Sequence, residues 1–392
     1  MNNKIELLAP AADLTRGMMA INFGADAIYF GGKEFSLRMR ASNFDLLEMN
    51  KMIDYAHSMN KKAYLVTNVV CRNHTLLNFN KFFTEIIKNP PDAFLCTDPA
   101  IIQKILAVNP KSVIHISTQQ SVTNSKAALF WARNGAKRIV TAREVSKDEL
   151  KLMIKNVQNK IEIEIFIHGA VCISYSGRCM LSSNFCLRDA NNGGCAQSCR
   201  WINELSKDKQ VLSKLFSMSP KDICLIKYIE DICQMGFSAL KIEGRMKSEH
   251  YIATVVNAYR KAIDKIDVST YEKDIQNAAN RETSVGWFLN EPTENEMLYH
   301  DVQKNIKQLF AMIVKEKIND TTYVVVSKNY FKLTDTFTVL GQKLKHLQQI
   351  KLLEIKNENQ ELMGIVNTPM RELTIKINKP IDLQPLDILR IH

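Results

Sequence analysis

Five of the nine cysteines fall in one stretch, EIEIFIHGAVCISYSGRCMLSSNFCLRDANNGGCAQSCRW. Six residues separate Cys172 from Cys179, and three separate Cys195 from Cys199. Thiolates grouped in this way are soft ligands that suit an iron–sulfur cluster or zinc. Structural zinc favours pairs about two to four residues apart, and only the second pair meets that spacing, so iron–sulfur is the better fit. Cys186 lies between the pairs, and Cys224, in SPKDICLI, can reach the same place from the next loop. Cys71, Cys96 and Cys233 stand alone and read as small buried hydrophobes. His168 precedes Cys172 by four residues, a spacing that would join them as a nucleophile and base on a helix. Gly169 interrupts that helix, and a lone histidine at a strand end is more often a hydrogen-bonded scaffold group. Neither G-x-S-x-G nor H-E-x-x-H occurs, so two common routes to hydrolysis are missing.

The cysteine stretch is glycine-rich and polar, so it cannot be core and has to be displayed by other elements. Short apolar runs alternate with amphipathic helical stretches around it, at 6–9, 27–30, 63–67, 93–96, 113–117, 138–141, 162–167 and 239–242. Near-continuous apolar strands are what a parallel sheet buried on both faces requires, and eight of them close a TIM-like (β/α)8 barrel. Helices are predicted over 46–59 and over 125–134, the latter ended by Gly135. A helix over 251–266, with Val255, Tyr259, Ala262, Ile263 and Ile266 on one face, would close the ring. The cysteine segment, 164–201, then lies between strands seven and eight.

Barrel enzymes keep their chemistry at the carboxyl ends of the strands. The loops there carry Arg38, Arg40, Gln119, Arg143, Glu144, His168, Glu243 and Arg245. Glu243, ending strand eight, can orient Arg245 or act as a base. The barrel is expected over 1–266, a polar connecting segment over 267–305 and a small C-terminal β-barrel domain over 306–392. In this last part alternation returns at 321–327, 351–355, 361–366 and 373–377.

The 392 residues, 46% of them hydrophobic and only 24 of them Gly or Pro, exclude collagen-like and wholly disordered chains. Neither a leader-like apolar region nor an uncharged apolar run of membrane length is evident, so a cytoplasmic protein with no membrane association is expected. In that reducing compartment, clustered thiols bind metal or do catalysis more often than they form disulfides. A net charge of +11 favours a polyanionic partner such as nucleic acid.

EIFIHGAVCISYSGRCMLS resembles the signature of peptidase family U32, the collagenase-like group. ELLAPA, DAIYFGG, LRMRASNF, HISTQQSVTN, RDANNGGCAQSCRW, SPKDI and KIEGRMKS stand where that family carries its motifs, and MGIVNT and PLDILRI resemble its C-terminal β-barrel domain. The likeness spans nearly the whole chain. Despite the protease name, several bacterial members are understood as iron–sulfur hydroxylases of tRNA, ribosomal RNA or a ubiquinone precursor. One barrel with one β-domain is similar to the tRNA group, which uses prephenate as co-substrate and forms 5-hydroxyuridine at the wobble position.

The resemblance implies a 4Fe-4S cluster on Cys172, Cys179, Cys195 and Cys199, with Cys224 replacing Cys199 if the fourth ligand comes from downstream. It implies tRNA as partner, and a paired family member as a further one. Prephenate is a dicarboxylate that arginine forks suit, which points to Arg38, Arg40, Arg143, Arg178 and Arg245, with Gln119 beside them. Tyr29, Phe30, Phe44 and Tyr175 are aromatics on which an unstacked base can lie. Glu243, Arg245 and His168 are the candidate catalytic groups. Lys328, Lys332, Lys343, Lys345 and Lys351 are expected to contact phosphate. The alternative activities are a collagenase-like peptidase, or a hydroxylase of another substrate such as ribosomal RNA or a ubiquinone precursor.

Overall fold

The eight apolar runs are parallel strands: β1 (Glu6–Pro10), β2 (Ala27–Gly31), β3 (Lys62–Thr67), β4 (Ala93–Cys96), β5 (Ile114–Ile116), β6 (Ala136–Val140), β7 (Glu162–Gly169) and β8 (Ala239–Ile242). In this computed structural model, which describes residues 5–37, 42–266, 268–279, 281–298 and 309–391, they pair in sequence order. β8 pairs with both β7 and β1, so the barrel closes.

Local signals fix the surrounding helices. Asp45 accepts the Glu48 amide while Glu48 accepts the Asp45 amide, a capping box that starts Leu46–Ser58. Asn124 caps Ser125–Arg133, which stops at Gly135. The helix Glu249–Ile263 buries Val255, Tyr259 and Ala262 against the ring; it ends before Ile266, which therefore lies past the expected face.

Alternate strand residues point inward, and at the amino-terminal end of the barrel they are charged. Arg138 bonds Glu6 at 2.6 Å, Glu162 at 2.8 Å and Glu164 at 3.2 Å, and Lys241 bonds Glu164 at 3.0 Å. The Tyr64 hydroxyl donates to Glu6. Burial opposes the Glu6 charge, but Arg138 and Lys62 outweigh it and hold the carboxyl below its ordinary range. Above this network an apolar layer includes Leu8, Ala27, Tyr29, Val66 and Leu95.

A second barrel consists of β9 (Leu309–Lys317), β10 (Thr322–Ser327), β11 (Thr336–Leu340), β12 (Gln348–Lys356), β13 (Glu372–Ile377) and β14 (Ile388–Ile391). It closes antiparallel in the order β9-β10-β13-β12-β11-β14. Strands β9, β11 and β14 are not evident from alternation. Their outward residues Ile313, Leu340 and Ile388 join the core of the first barrel, so the consecutive buried runs 311–314, 337–340 and 388–390 are covered on both faces and do not alternate with exposed residues. The expected strand at 361–366 is reduced to Ile365–Val366, paired with Phe331–Lys332. Asn357 accepts the amides of Asn359 and Glu361 and turns the chain just before it.

The stretch after 267 includes a helix, Val268–Ala278, that buries Tyr271, Asp274 and Ile275. Asp274 meets Arg390 of β14 at 3.0 Å, and this arginine is fully buried and also donates to Thr254. His250 stacks on Phe310 across the same interface. Lys328, expected on phosphate, is instead ion-paired with Glu249 at 2.8 Å, and Lys343 lies 3.3 Å from Asp382. Lys332, Lys345 and Lys351 are exposed. Among the described residues no helix is long and apolar enough to cross a membrane.

Candidate functional site

Above the apolar layer the inward side chains stop meeting one another and leave a cavity of about 160 Å³ at the carboxyl ends of the strands. Tyr29, Val66, Leu95, Val140, Phe166 and Lys241 form its floor and walls. Gln119, Arg143, Glu243 and Arg245 line it from the loops, and Cys172, Cys179, Cys195 and Cys199 line it from the cysteine segment. The site is thus roofed by the chain between β7 and β8.

Loops of other strands hold that roof in place. Ser176 adopts a left-handed conformation, φ 48°, and Glu144 accepts both its amide at 2.6 Å and its hydroxyl at 3.0 Å. Arg178 donates to the Gln119 carbonyl at 2.8 Å, so it fastens the roof to the loop after β5. The Asn191 side chain accepts from the Cys179 amide and donates to its carbonyl. The Val70 amide donates to the Asn191 carbonyl, and Arg72 pairs with Asp189 at 2.8 Å.

Cys179 is buried, Cys172 and Cys199 are half-buried, and Cys195 is exposed. Burial pushes the Cys172 thiol up, the Ser174 amide pulls it down, and Cys179 and Cys195 push it further up. Burial likewise raises Cys199; Arg200 opposes this, and the other three thiols add to it. The Leu181 amide donates to Cys179 Sγ at 3.3 Å. Among the described residues no three His, Cys, Asp or Glu side chains are placed to share one metal ion; the four thiols are among the residues that line the cavity. Cys224 sits opposite His168 in the ladder, 3.8 Å from the Tyr259 hydroxyl, and does not line the cavity. Cys71, Cys96, Cys186 and Cys233 are also outside it.

His168 is not brought to the cavity. Inward parity along β7 runs through Glu164 and Phe166, but the ladder slips between Lys241 and Ile242, so that Ile242 pairs with His168. This bulge turns His168 out of the barrel. Its ring packs on Tyr251 and Tyr259, and Nδ1 lies 3.3 Å from the Tyr259 hydroxyl. Burial pushes its pKa down to about 3, so it is a neutral scaffold group at physiological pH.

The next residue, Gly169, has φ +107°, and a Cβ there would meet the Glu243 carbonyl oxygen at 2.2 Å. Gly169→Ala is therefore expected to cost ~1–3 kcal/mol and to displace Glu243. A thermal melt and an activity assay check both effects.

Glu243 accepts from the Tyr29 hydroxyl at 3.1 Å, and that hydroxyl also lies 3.0 Å from the Ile242 carbonyl. Burial, then the Glu243 charge, raises the Tyr29 pKa well above its ordinary value, so Tyr29 stays protonated as the donor. Arg245 donates to Ser36 Oγ at 2.7 Å and to Asn43 Oδ1. The Arg143 guanidinium lies 3.9 Å over the Phe166 ring, and its buried Nε has no hydrogen-bond partner among the described residues. Gln119 is buried and accepts from Thr97 at 3.4 Å. Of the remaining sequence candidates, Arg38 and Arg40 lie outside the described residues. Phe30 and Phe44 pack on each other in the core rather than at the rim, whereas Tyr175 is exposed.

Lys241 is the site residue that sequence reading passed over. Its ammonium is buried, 4.5 Å above the Tyr29 ring and bonded to Glu164. Burial lowers its pKa against the opposing pull of Glu164. A signal was present: a lysine inside the apolar run ALKI, with glutamates in EIEIFI and an arginine in AKRIV, means that these strands face a polar interior.

The model for peptidase family U32 matches residues 12–298, and the model for the family's C-terminal domain matches 307–390. Relatives include tRNA hydroxylation protein P1 of Bacillus subtilis (strain 168), 35% identical over 97% of this chain and 94% of that protein. Another is tRNA hydroxylation protein P of Escherichia coli (strain K12), 30% identical over 89% and 90% respectively. An uncharacterized protease of Methanocaldococcus jannaschii is 33% identical over 91% and 92%. The matched regions take in the cysteine roof, every strand of the first barrel but β1, and nearly all of the C-terminal β-barrel, and this chain belongs to peptidase family U32.

Proposed function

We propose that the protein is an RNA-modifying enzyme that hydroxylates C5 of the wobble uridine of tRNA, with prephenate as co-substrate and a 4Fe-4S cluster on Cys172, Cys179, Cys195 and Cys199. The observation that carries this reading is that four thiols from one segment line the cavity at the carboxyl ends of the barrel strands. Relatives named for tRNA hydroxylation, matched along nearly their full length, support the substrate.

The donor set fits the group. Four thiols line one cavity, and amides of Ser174 and Leu181 point at two of the sulfurs, contacts of the kind that tune an iron–sulfur centre. Bound there, the cluster supplies redox or Lewis-acid chemistry next to the substrate.

The rest falls to the chain's own side chains. A wobble base, already single-stranded, reaches the mouth of the cavity at modest unstacking cost. Arg143, Arg245 and Lys241 place positive charge around it, which binds an anionic co-substrate such as a dicarboxylate. Tyr29 fixes the Glu243 carboxylate, which is left to take a proton from the reacting ring. The bulge carries His168 out of the barrel, so the Cys172–His168 dyad on which a thiol peptidase would rest is not assembled. Working on tRNA, the enzyme belongs in the cytoplasm.

Nucleoside mass spectrometry of total tRNA from a deletion strain tests the reading. Loss of 5-hydroxyuridine and its derivatives is expected, with recovery on adding back the parent gene but not Glu243→Gln. Unchanged 5-hydroxyuridine in the deletion strain would overturn it.

A further inference from the structure

Between Cys199 and β8 the chain makes a feature that the cavity does not use. Asn203–Lys207 and Gln210–Phe216 form an antiparallel hairpin, turned by Asp208 and Lys209, both at positive φ. Every residue from Glu204 to Leu212 is exposed, so the hairpin stands away from both barrels. Its root is the site itself, because the Met218 amide returns to donate to the Cys199 carbonyl at 3.1 Å. This hairpin exposes Leu205, Val211, Leu212 and Leu215, apolar side chains gathered on one small feature. Something is therefore expected to cover it.

Charge identifies the occupant. From Cys172 to Lys221 there are seven basic and three acidic residues, and one of the acids, Asp189, is already paired with Arg72. Lys207, Lys209 and Lys214 alternate with the apolar side chains of the hairpin. At its root Phe185 and Trp201 are exposed and meet edge to face, with centroids 6.3 Å apart. Behind them Lys247 and Arg281 share the single carboxylate of Asp222, and Arg200 adds its charge to theirs. A protein partner would suit the apolar residues alone. A single-stranded polynucleotide suits the whole set, with phosphates on the lysines and bases on the aromatic and aliphatic faces.

We infer that the hairpin 203–216, with Phe185 and Trp201, clamps the RNA nucleotides flanking the base that enters the cavity. This rests on the RNA substrate proposed above and adds how that RNA is gripped. A base reaching the cysteine-lined cavity has to pass the roof, so its neighbours in the strand lie against the hairpin rooted there.

The test is a triple variant, Lys207→Ala with Lys209→Ala and Lys214→Ala, all on exposed positions. Its binding to an unmodified tRNA transcript with uridine at the wobble position, and to the matching anticodon stem-loop, is measured by fluorescence anisotropy over a salt series. Affinity is expected to fall about tenfold or more, and the slope of log affinity against log salt to shrink by about two, since each single-strand phosphate contact contributes about 0.7. Iron content and far-ultraviolet circular dichroism should match the parent. Unchanged affinity and slope, with the parent binding normally, would overturn the clamp. So would a change of oligomeric state in light scattering with tRNA affinity intact, because the hairpin would then be a protein interface. A parent protein that binds no tRNA would remove the functional reading along with the clamp.

Discussion

Serine at Cys172 or Cys179 is expected to strip the purified protein of iron and to abolish wobble hydroxylation, whereas serine at Cys224 should leave both intact. Cluster ligands act as a unit, and a corner without its thiolate opens the centre to solvent and oxidant. Cys179 is buried under the roof and Cys172 is half-buried beside it, so neither is easily replaced by a mobile neighbour. Serine at Cys195 and Cys199 should follow, because both line the same cavity. Cys224 faces Tyr259 on the far side of β7, too far round the barrel wall to take part. Iron and sulfide are assayed after anaerobic purification, together with 5-hydroxyuridine in tRNA from complemented cells. The expected loss is at least tenfold for each of the four. Full iron content in a Cys172→Ser, Cys179→Ser double variant would refute the assignment of the cluster and the function built on it.

Arg138→Met is expected to be the most destabilising single change at the barrel's amino-terminal end, costing about 3–5 kcal/mol at neutral pH. Its side chain is 5% exposed and bonds Glu6, Glu162 and Glu164, the last fully buried. Removing one partner of a buried ionic set leaves the other charges without compensation. The pH dependence has a definite sign. The pKa of Glu6 is depressed in the folded protein, so its contribution is present above the unfolded value of about 4.3 and is lost as pH falls through the folded value. The gap between parent and variant should therefore be largest at neutral pH and shrink in acid, where the carboxylates are protonated in both. Urea denaturation at neutral pH and at a pH well below 4, beneath the depressed folded value, measures it. Arg138→Lys, which keeps the charge but not the fork, should recover part of the loss. An equal gap at both pH values would mean that packing, not charge, sets the cost.

Much of the first barrel was legible in the sequence because its strands are buried on both faces and bounded by cappable helices. The eight apolar runs agree with the observed strands to within about two residues at each end, close to the ambiguity of any boundary assignment. Three strands of the second barrel escaped notice for the same physical reason. Alternation marks a strand with one wet face, and the central residues of β9, β11 and β14 have none, since Ile313, Leu340 and Ile388 are covered by the first barrel.

The sequence by itself determined which residue types were available and where each lay along the chain: four thiols in one polar segment, a carboxylate and an arginine after strand eight, and arginines in the loops. The tertiary structure alone decided which of them meet. One slipped register at Ile242 turns His168 out of the barrel while leaving Lys241 and Glu243 facing in. The roof's attachment to Glu144, Gln119 and Asn191 brings Cys199 to the cavity and leaves Cys224 on the ladder behind it. Side-chain direction in a strand has period two, so a single extra residue reverses it, and no local pattern in the sequence announces where that residue falls.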